Sequence, residues 1–326
     1  MSEQERNDHT QKATAAPNAR VSGGSRLEAS IDRLERFRAS RRERFEEGAL
    51  RGQRVRGWTE KLILRTATGV LYAVLIIGCL YFGRIPTSLI ISAMAWLCCS
   101  EFFRMARAAG RMPNDAWGLA IALAYPLAPL IPITHGSLLI TAVLLLGCAV
   151  WYVATPRANI SDVAITAFGP IYTSLAFSCI AFIRASEPGW GGFFLTLGVM
   201  GSVWANDSAA YLVGSRLGKH KLAPRISPNK SVEGFWGGIV ASMAVWALLG
   251  AFKIQGLGMV HALLIGAIVA FTSVVGDLFE SRIKRGVGVK DSGDILPGHG
   301  GLLDRSDSML FGGMAAYVLL HIGGIL

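Results

Sequence analysis

Long apolar stretches recur through most of the chain, and they constrain its fold more than any other feature. About nine of them follow a polar N-terminal region, each near the ~20 residues that a helix needs to cross a bilayer. Only 17% of the 326 residues are charged, whereas soluble domains are about a quarter charged. The sequence therefore predicts an all-α, polytopic integral membrane protein. The predicted spans are 62–83, 86–103, 116–133, 137–154, 163–183, 192–213, 235–253, 259–279 and 309–326.

Prolines interrupt the third predicted span. Pro126, Pro129 and Pro132 recur at every third residue within it. Proline lacks a backbone N–H, and its ring clashes with the preceding helical turn, so we expect this span to be kinked or broken.

The N-terminal region differs from the rest of the chain. Residues 1–25 are polar and contain few large apolar side chains, so we expect them to be disordered. Leu27, Ile31, Leu34 and Phe37 then recur at helical spacing among arginines, which predicts a short, basic amphipathic helix. This helix is either part of a solvated tail or an arm attracted to anionic lipid. We therefore divide the chain into a basic, largely disordered cytoplasmic tail, 1–60, and a transmembrane domain, 61–326.

Basic residues predict the orientation, because the cytoplasmic loops of membrane proteins are rich in Lys and Arg. They concentrate in the tail and in the gaps after the second, sixth and eighth spans, while alternate gaps hold few. We therefore expect the N-terminus and both long polar loops to be cytoplasmic, in a multi-pass protein of the cell's inner (plasma) membrane. The same rule explains the net charge of +10 without nucleic acid as a partner.

The segment between the last two spans, 281–307, is too polar to be a simple connection. It mixes lysines, arginines and aspartates with six glycines and His299. Clustered cations and carboxylates suit a metal–polyphosphate site, where oxygen ligands favour Mg²⁺ held together with substrate phosphates. Asp304 and Asp307 share a helix face beside the positive end of the helix dipole. Helix capping would explain Asp304 alone, and His299 suits either a phosphate contact or a structural turn.

An acid inside an apolar stretch marks the other polar block, 206–238. Asp207 precedes the cytoplasmic end of the sixth span, and Tyr211 lies four residues on, on the same helix face. A charge within a span usually faces a cavity, and pairing with a neighbouring cation is the alternative. Ser231 and Glu233 suit either a site or an ordinary helix start.

Together these blocks resemble the signature of the phosphatidate cytidylyltransferases, also called CDP-diglyceride synthases. The second block carries the long, fixed pattern at Ser281, Lys284, Arg285, Lys290, Asp291, Pro297, His299, Gly300, Gly301, Asp304, Arg305 and Asp307. The first block carries Asp207, Ser208, Tyr211, Gly214, Gly218, Lys219, Ser227, Pro228, Lys230, Glu233 and Gly234. The resemblance covers residues 60–326, and the serines at 231 and 306 are mild departures from the pattern.

The resemblance implies the reaction of CTP with phosphatidate to give CDP-diacylglycerol and pyrophosphate, in contact with membrane lipids and with Mg²⁺. It further implies that Asp277 and Asp304 hold the metal, and we add Asp307 and Asp207 as lesser candidates. A second, monovalent cation such as K⁺ is left open, and a homodimer is expected from the resemblance alone. The predicted catalytic residues are Lys284, Arg285, Lys290, Arg305 and His299. The predicted substrate-binding residues are Ser227, Lys230, Glu233, Tyr211, Lys219, Ser281, Gly300 and Gly301.

The chemistry suits this residue set. The lipid phosphate is already mostly dianionic at neutral pH, so it needs no general base and meets mainly charge repulsion, which cations reduce. Two alternatives stay open: a CTP-dependent lipid-alcohol kinase, which has the same requirements, and an anionic-lipid transporter. A transporter would place charges in several spans and would show an internal repeat, and the sequence has no evident repeat.

Overall fold

The fold is that of a computed structural model, which describes residues 69–293, 295 and 300–326. The chain divides after Leu62, so all of these residues belong to the unit Ile63–Leu326. The predicted tail helix at 27–37 and the predicted site residue His299 lie outside the described residues.

Ten α-helices make up most of the described chain. They are α1 (Gly69–Phe82), α2 (Arg84–Ala108), α3 (Asp115–Ala124), α4 (Gly136–Ala154), α5 (Ile160–Pro170), α6 (Ala176–Ser186), α7 (Trp190–Leu217), α8 (Val232–Ala251), α9 (Met259–Gly286) and α10 (Leu303–Ile322). A π-helical turn, Ile171–Leu175, joins α5 to α6, and a 3-10 turn, Ile254–Gly256, precedes α9. Each of the nine predicted spans coincides with one helical segment, counting α5–α6 as one.

Length and composition support a membrane location. Among the described residues, five segments are long and apolar enough to cross a bilayer: α2, α4, the continuous α5–α6 unit, α8 and α9. Helix α1 and the α3 segment are apolar but shorter. The prediction of a helical membrane protein is therefore confirmed, while the count of nine spans and their orientation stay predictions.

The proline-rich third segment is broken, as predicted. Helix α3 ends at Ala124 and continues as a 3-10 helix, Tyr125–Leu130, which contains Pro126 and Pro129. The missing N–H groups of these prolines explain the change of helix type.

A small β-hairpin corrects the all-α prediction. Strands β1 (Lys221–Ala223) and β2 (Ser227–Ser231) pair antiparallel between α7 and α8, with Lys221 opposite Ser231. Pro224 and Pro228 oppose helix formation in this segment. The hairpin ends at Ser231, whose hydroxyl accepts a hydrogen bond from the Gly234 N–H and caps α8.

Close helix packing brings the polar helix ends together. Helix α7 packs on α8, α8 on α9, and α9 on α10. A Cβ on Gly234 would lie 2.5 Å from the Ala210 carbonyl oxygen of α7. A Cβ on Gly276 would lie 2.6 Å from the Asp307 carbonyl oxygen of α10. These glycines therefore permit approaches that no other residue allows, and the second places Asp277 beside the start of α10.

Candidate active site

A pocket of about 1030 Å³ collects residues from α1, α7, the hairpin, α8, α9 and α10. Its wall combines charged groups with the apolar side chains of Trp204, Phe235 and Val274. Both polar blocks of the sequence contribute residues to this wall. The predicted site residues on the wall are Asp207, Tyr211, Lys230, Asp277, Asp304, Arg305 and Asp307.

The first polar block contacts helix α9 at Asp277, four residues before the second block begins. The Lys230 ammonium, on strand β2, lies 2.6 Å from a carboxylate oxygen of Asp277 on α9. The Ser281 hydroxyl, one helical turn further along α9, donates to the other Asp277 oxygen at 3.2 Å. Asp277 is therefore oriented by both blocks while its side chain stays 29% exposed to the pocket.

Lys284 lies behind the pocket wall. Its ammonium contacts Glu280 on the same helix and lies 2.5 Å from Asp304 at the start of α10. Glu280 is fully buried, so the lysine compensates a carboxylate that water does not reach. The predicted phosphate contact of Lys284 stays a prediction, and the observed contacts of this lysine are internal.

Asp304 is held by its surroundings in the ionised form. Burial opposes ionisation, but the Lys284 ammonium and the backbone N–H groups of Ser292 and Gly301 hold the pKa of Asp304 below its usual range. The two N–H groups donate to the same carboxylate oxygen, at 2.9 and 3.0 Å. Asp304 lies in the first turn of α10, before the predicted span 309–326. Because it is held in the ionised form, it presents a fixed negative charge at this end of the helix.

Two further carboxylates complete the acidic part of the wall. Asp207 accepts hydrogen bonds from Asn206 and from the Ser308 hydroxyl of α10, at 3.3 and 3.4 Å. Asp307 also precedes the predicted span 309–326, and burial, followed by repulsion from Asp277, raises the pKa of Asp307. The pocket thus concentrates negative charge in a way that favours a bound cation.

Among the described residues, the other predicted site residues do not line this pocket, and His299 lies outside the described part of the chain. Glu233 accepts from the backbone N–H groups of Lys219 and His220 and from the His220 ring, so it anchors the chain between α7 and the hairpin. Gly300 has φ +85°, a left-handed conformation that favours glycine. The roles assigned to the remaining members stay predictions; these are Ser227, Lys219, Arg285, Lys290 and Gly301.

Glu101 was missed by the sequence reasoning. This α2 side chain is buried and accepts hydrogen bonds from the Leu302 and Leu303 N–H groups and the Ser292 hydroxyl. The signal was present, because Glu101 is an acid inside the predicted span 86–103. The rule that singled out Asp207 applies equally to Glu101.

The donor set fits a magnesium ion that shares its ligands with a substrate. Within 69–293, 295 and 300–326, no three His, Cys, Asp or Glu side chains are grouped closely enough to form a complete metal site. Mg²⁺ needs only one or two carboxylates beside waters and substrate phosphates. Asp277 and Asp304 both line the pocket, and each already lies beside a lysine ammonium.

These features define a class: a helical membrane protein with a pocket where carboxylates and basic side chains meet an apolar wall. Such a pocket suits an amphipathic, phosphate-bearing ligand. Comparison with known proteins assigns the chain to one family. Residues 63–323 match the model of the cytidylyltransferase family, and the chain belongs to this family.

Three relatives illustrate the similarity, and each is named phosphatidate cytidylyltransferase. The Bacillus subtilis protein is 34% identical over 265 residues, which cover 79% of this chain and 97% of the relative. The Staphylococcus saprophyticus protein is 45% identical over 138 residues, 42% of this chain and 53% of the relative. The Mycobacterium bovis protein is 39% identical over 168 residues, 52% of this chain and 54% of the relative.

Proposed function

We propose that this chain transfers the cytidylyl group of CTP to phosphatidate, giving CDP-diacylglycerol and pyrophosphate for phospholipid biosynthesis. The observation that carries the proposal is the pocket wall, where carboxylates from three helices line one cavity together with Lys230, Arg305 and apolar side chains. Family membership over 63–323 supports it, because the matched region includes both polar blocks.

The proposed reaction is a displacement at phosphorus. An oxygen of the lipid phosphate forms a bond to the α-phosphorus of CTP, and the bond from that phosphorus to the bridging oxygen of pyrophosphate breaks. The nucleophile is already anionic, so the residues have no proton to remove. Their task is to hold two anions together, and we assign Lys230 and Arg305 to phosphate oxygens on the pocket wall.

Mg²⁺ is the proposed cofactor, with Asp277 and Asp304 as its protein ligands. When bound, it would reduce repulsion between the two phosphates and stabilise the pyrophosphate leaving group. Asp207 and Asp307 are secondary candidates on the same wall. A monovalent cation such as K⁺ is the proposed second ion.

The proposal includes a membrane arrangement. We propose nine spans, with the N-terminus and the pocket on the cytoplasmic side of a bacterial plasma membrane, where CTP is present. Phosphatidate would then reach the pocket from the surrounding lipid. The unequal distribution of Lys and Arg among the gaps supports this orientation. We also propose a homodimer, on family grounds alone.

The product that carries the isotope label distinguishes cytidylyl transfer from its main alternative, a CTP-dependent lipid-alcohol kinase. Purified protein is incubated with phosphatidate, Mg²⁺ and CTP labelled at either the α- or the γ-phosphorus. Cytidylyl transfer puts α-label into lipid and γ-label into pyrophosphate. In a parallel incubation, diacylglycerol or a polyprenol replaces phosphatidate. A lipid-alcohol kinase would put γ-label into that lipid and release CDP, and this outcome would refute the proposal.

Loss of either proposed metal ligand should stop turnover. We expect Asp277→Asn and Asp304→Asn to lower CDP-lipid formation by ~10³-fold or more, while the protein still inserts into the membrane. Glu187→Gln is the matched control, because Glu187 lies in the connection between α6 and α7 and contacts Gln255, not the pocket. Near wild-type activity of either aspartate variant would remove that residue from the metal role.

A further inference from the structure

Glu101 is a buried acid in an otherwise apolar part of helix α2. Its side chain is 1% exposed, and its neighbours Cys98, Phe102 and Phe103 are also buried. A carboxylate removed from water is costly unless hydrogen bonds and cations compensate it. Its partners therefore indicate what it does.

Those partners belong to two separate pieces of the chain. The Leu302 and Leu303 N–H groups, at the start of α10, donate to Glu101 at 3.0 and 2.8 Å. The Ser292 hydroxyl, before the segment 293–301, donates at 2.8 Å. The first N–H groups of a helix have no partner within it, and a negative charge is favourable there. Glu101 thus caps α10 from another helix.

Two glycines near Glu101 show how closely their backbone packs against this side chain. A Cβ on Gly301 or on Gly293 would lie 2.6 Å from a Glu101 carboxylate oxygen. Arg104, one turn along α2, adds a hydrogen bond to the Ser292 carbonyl at 3.1 Å. One face of α2 therefore holds the residues on both sides of 293–301.

The same backbone orients Asp304. Its carboxylate accepts from the Ser292 and Gly301 N–H groups, and it directly follows Leu303. Glu101 fixes the Ser292 side chain and the Leu303 N–H, so the place of Asp304 depends on Glu101. Glu101 itself does not line the pocket.

We propose that Glu101 is a positioning residue for the active site: by joining Ser292 to the first turn of α10, it sets where Asp304 lies in the pocket. This inference rests on the proposed function for its kinetic consequence. Its structural part, the joining of two chain segments, is independent of any reaction.

Enzyme kinetics test whether Glu101 affects catalysis through Asp304. Glu101→Gln replaces one acceptor oxygen with an amide that faces a donor, so we expect kcat to fall on the order of 10²-fold and the Mg²⁺ needed for half-maximal rate to rise. Glu101→Asp keeps the charge and should lie between this variant and the wild type. The matched control is Asp162→Asn, because Asp162 is equally buried but caps α5 and binds the Met112 N–H, away from the pocket.

Hydrogen exchange tests the joining itself, without substrate or metal. In lipid nanodiscs, Glu101→Gln should accelerate amide exchange in peptides covering 290–305, whereas Asp162→Asn should accelerate it near 112 and 159–163. Ser292→Ala combined with Glu101→Gln should add less to the rate loss than the single changes predict, because the two groups act through one contact.

The results of these experiments distinguish the positioning role of Glu101 from the proposed function of the chain. If Glu101→Gln lowers the melting temperature and the rate no more than Asp162→Asn does, or leaves exchange in 290–305 unchanged, Glu101 is only a core residue and the inference is wrong. If the wild-type protein makes no CDP-lipid while Glu101→Gln still accelerates exchange in 290–305, the proposed function fails and the joining role stands.

Discussion

Two lysines of the predicted site, Lys230 and Lys284, have different surroundings. Lys230 lies on the pocket wall beside Asp277, with 24% of its side chain exposed. Lys284 has 10% of its side chain exposed and lies between Glu280 and Asp304. Position in the fold therefore assigns them separate tasks. Lys230 faces the pocket, where a substrate phosphate would bind, and Lys284 neutralises the buried Glu280 and holds Asp304.

Removing the Lys230 charge should impair catalysis more than stability. We expect Lys230→Met to lower kcat/KM by ~10²-fold, because a cation that faces the phosphates is lost. Lys221→Met, an exposed change on the paired strand, is the control and should leave kcat/KM within a factor of about two. Steady-state assays of both variants measure kcat/KM. Equal values for the two variants would contradict a phosphate-binding role for Lys230.

Removing the Lys284 charge should impair stability first. Glu280 is 0% exposed and would be left without its cation, so we expect Lys284→Met to destabilise the protein by about 3 kcal/mol or more. Thermal unfolding in detergent measures this effect. Lys290→Met, at an exposed position, should leave the unfolding temperature unchanged; an equal fall in both variants would contradict an internal role for Lys284.

At the scale of elements, glycine contacts decide how α9 and α10 meet. Gly276 lies against the Asp307 carbonyl, and Gly312 of α10 lies against the Ser273 side chain of α9. The helices therefore pack at a separation that leaves no room for a methyl group. Asp277 and Asp307 reach one pocket because their helices are this close.

Widening this contact should separate the carboxylates. Gly276→Ala would place Cβ 2.6 Å from the Asp307 carbonyl oxygen, and we expect about 1–3 kcal/mol of destabilisation together with a loss of CDP-lipid formation. Gly201→Ala, in α7, is the control because nothing lies within 4 Å of its added Cβ. Activity and melting temperature are measured together, and a fully active Gly276→Ala protein would show that this spacing does not matter.

The elements were predictable where one-dimensional patterns determine them. Apolar length predicted every helical segment from α1 to α10, and the prolines predicted the change of helix type at Tyr125. Charge patterns and the family resemblance together made Asp277, Asp304 and Lys230 candidates, and their roles stay predictions. The hairpin was missed because short strands carry little periodicity. The partners of Glu101 are 191 to 202 residues away in sequence, so packing alone brings them together.

At the scale of the whole molecule, the two ends of the bundle differ in composition. Among the described residues, the pocket end carries the hairpin, the pocket-lining residues of the second polar block and most of the exposed Lys and Arg side chains. The other end carries an aromatic cluster in which Tyr81, Trp190 and Phe193 pack edge to face. Aromatic rings favour both membrane–water interfaces, whereas Lys and Arg favour the cytoplasmic side, so the basic residues at the pocket end support the proposed orientation.

Cysteine labelling tests this orientation. Arg225→Cys in the hairpin turn should react with a membrane-impermeant maleimide only after permeabilisation, and Ile133→Cys, in the exposed connection before α4, should react in intact spheroplasts. Cys98, Cys99, Cys148 and Cys179 are buried, and Cys79→Ala removes the partly exposed one. Because both sites are measured in one background, reversed labelling would place the pocket on the outer face, away from CTP, and would contradict the proposed arrangement.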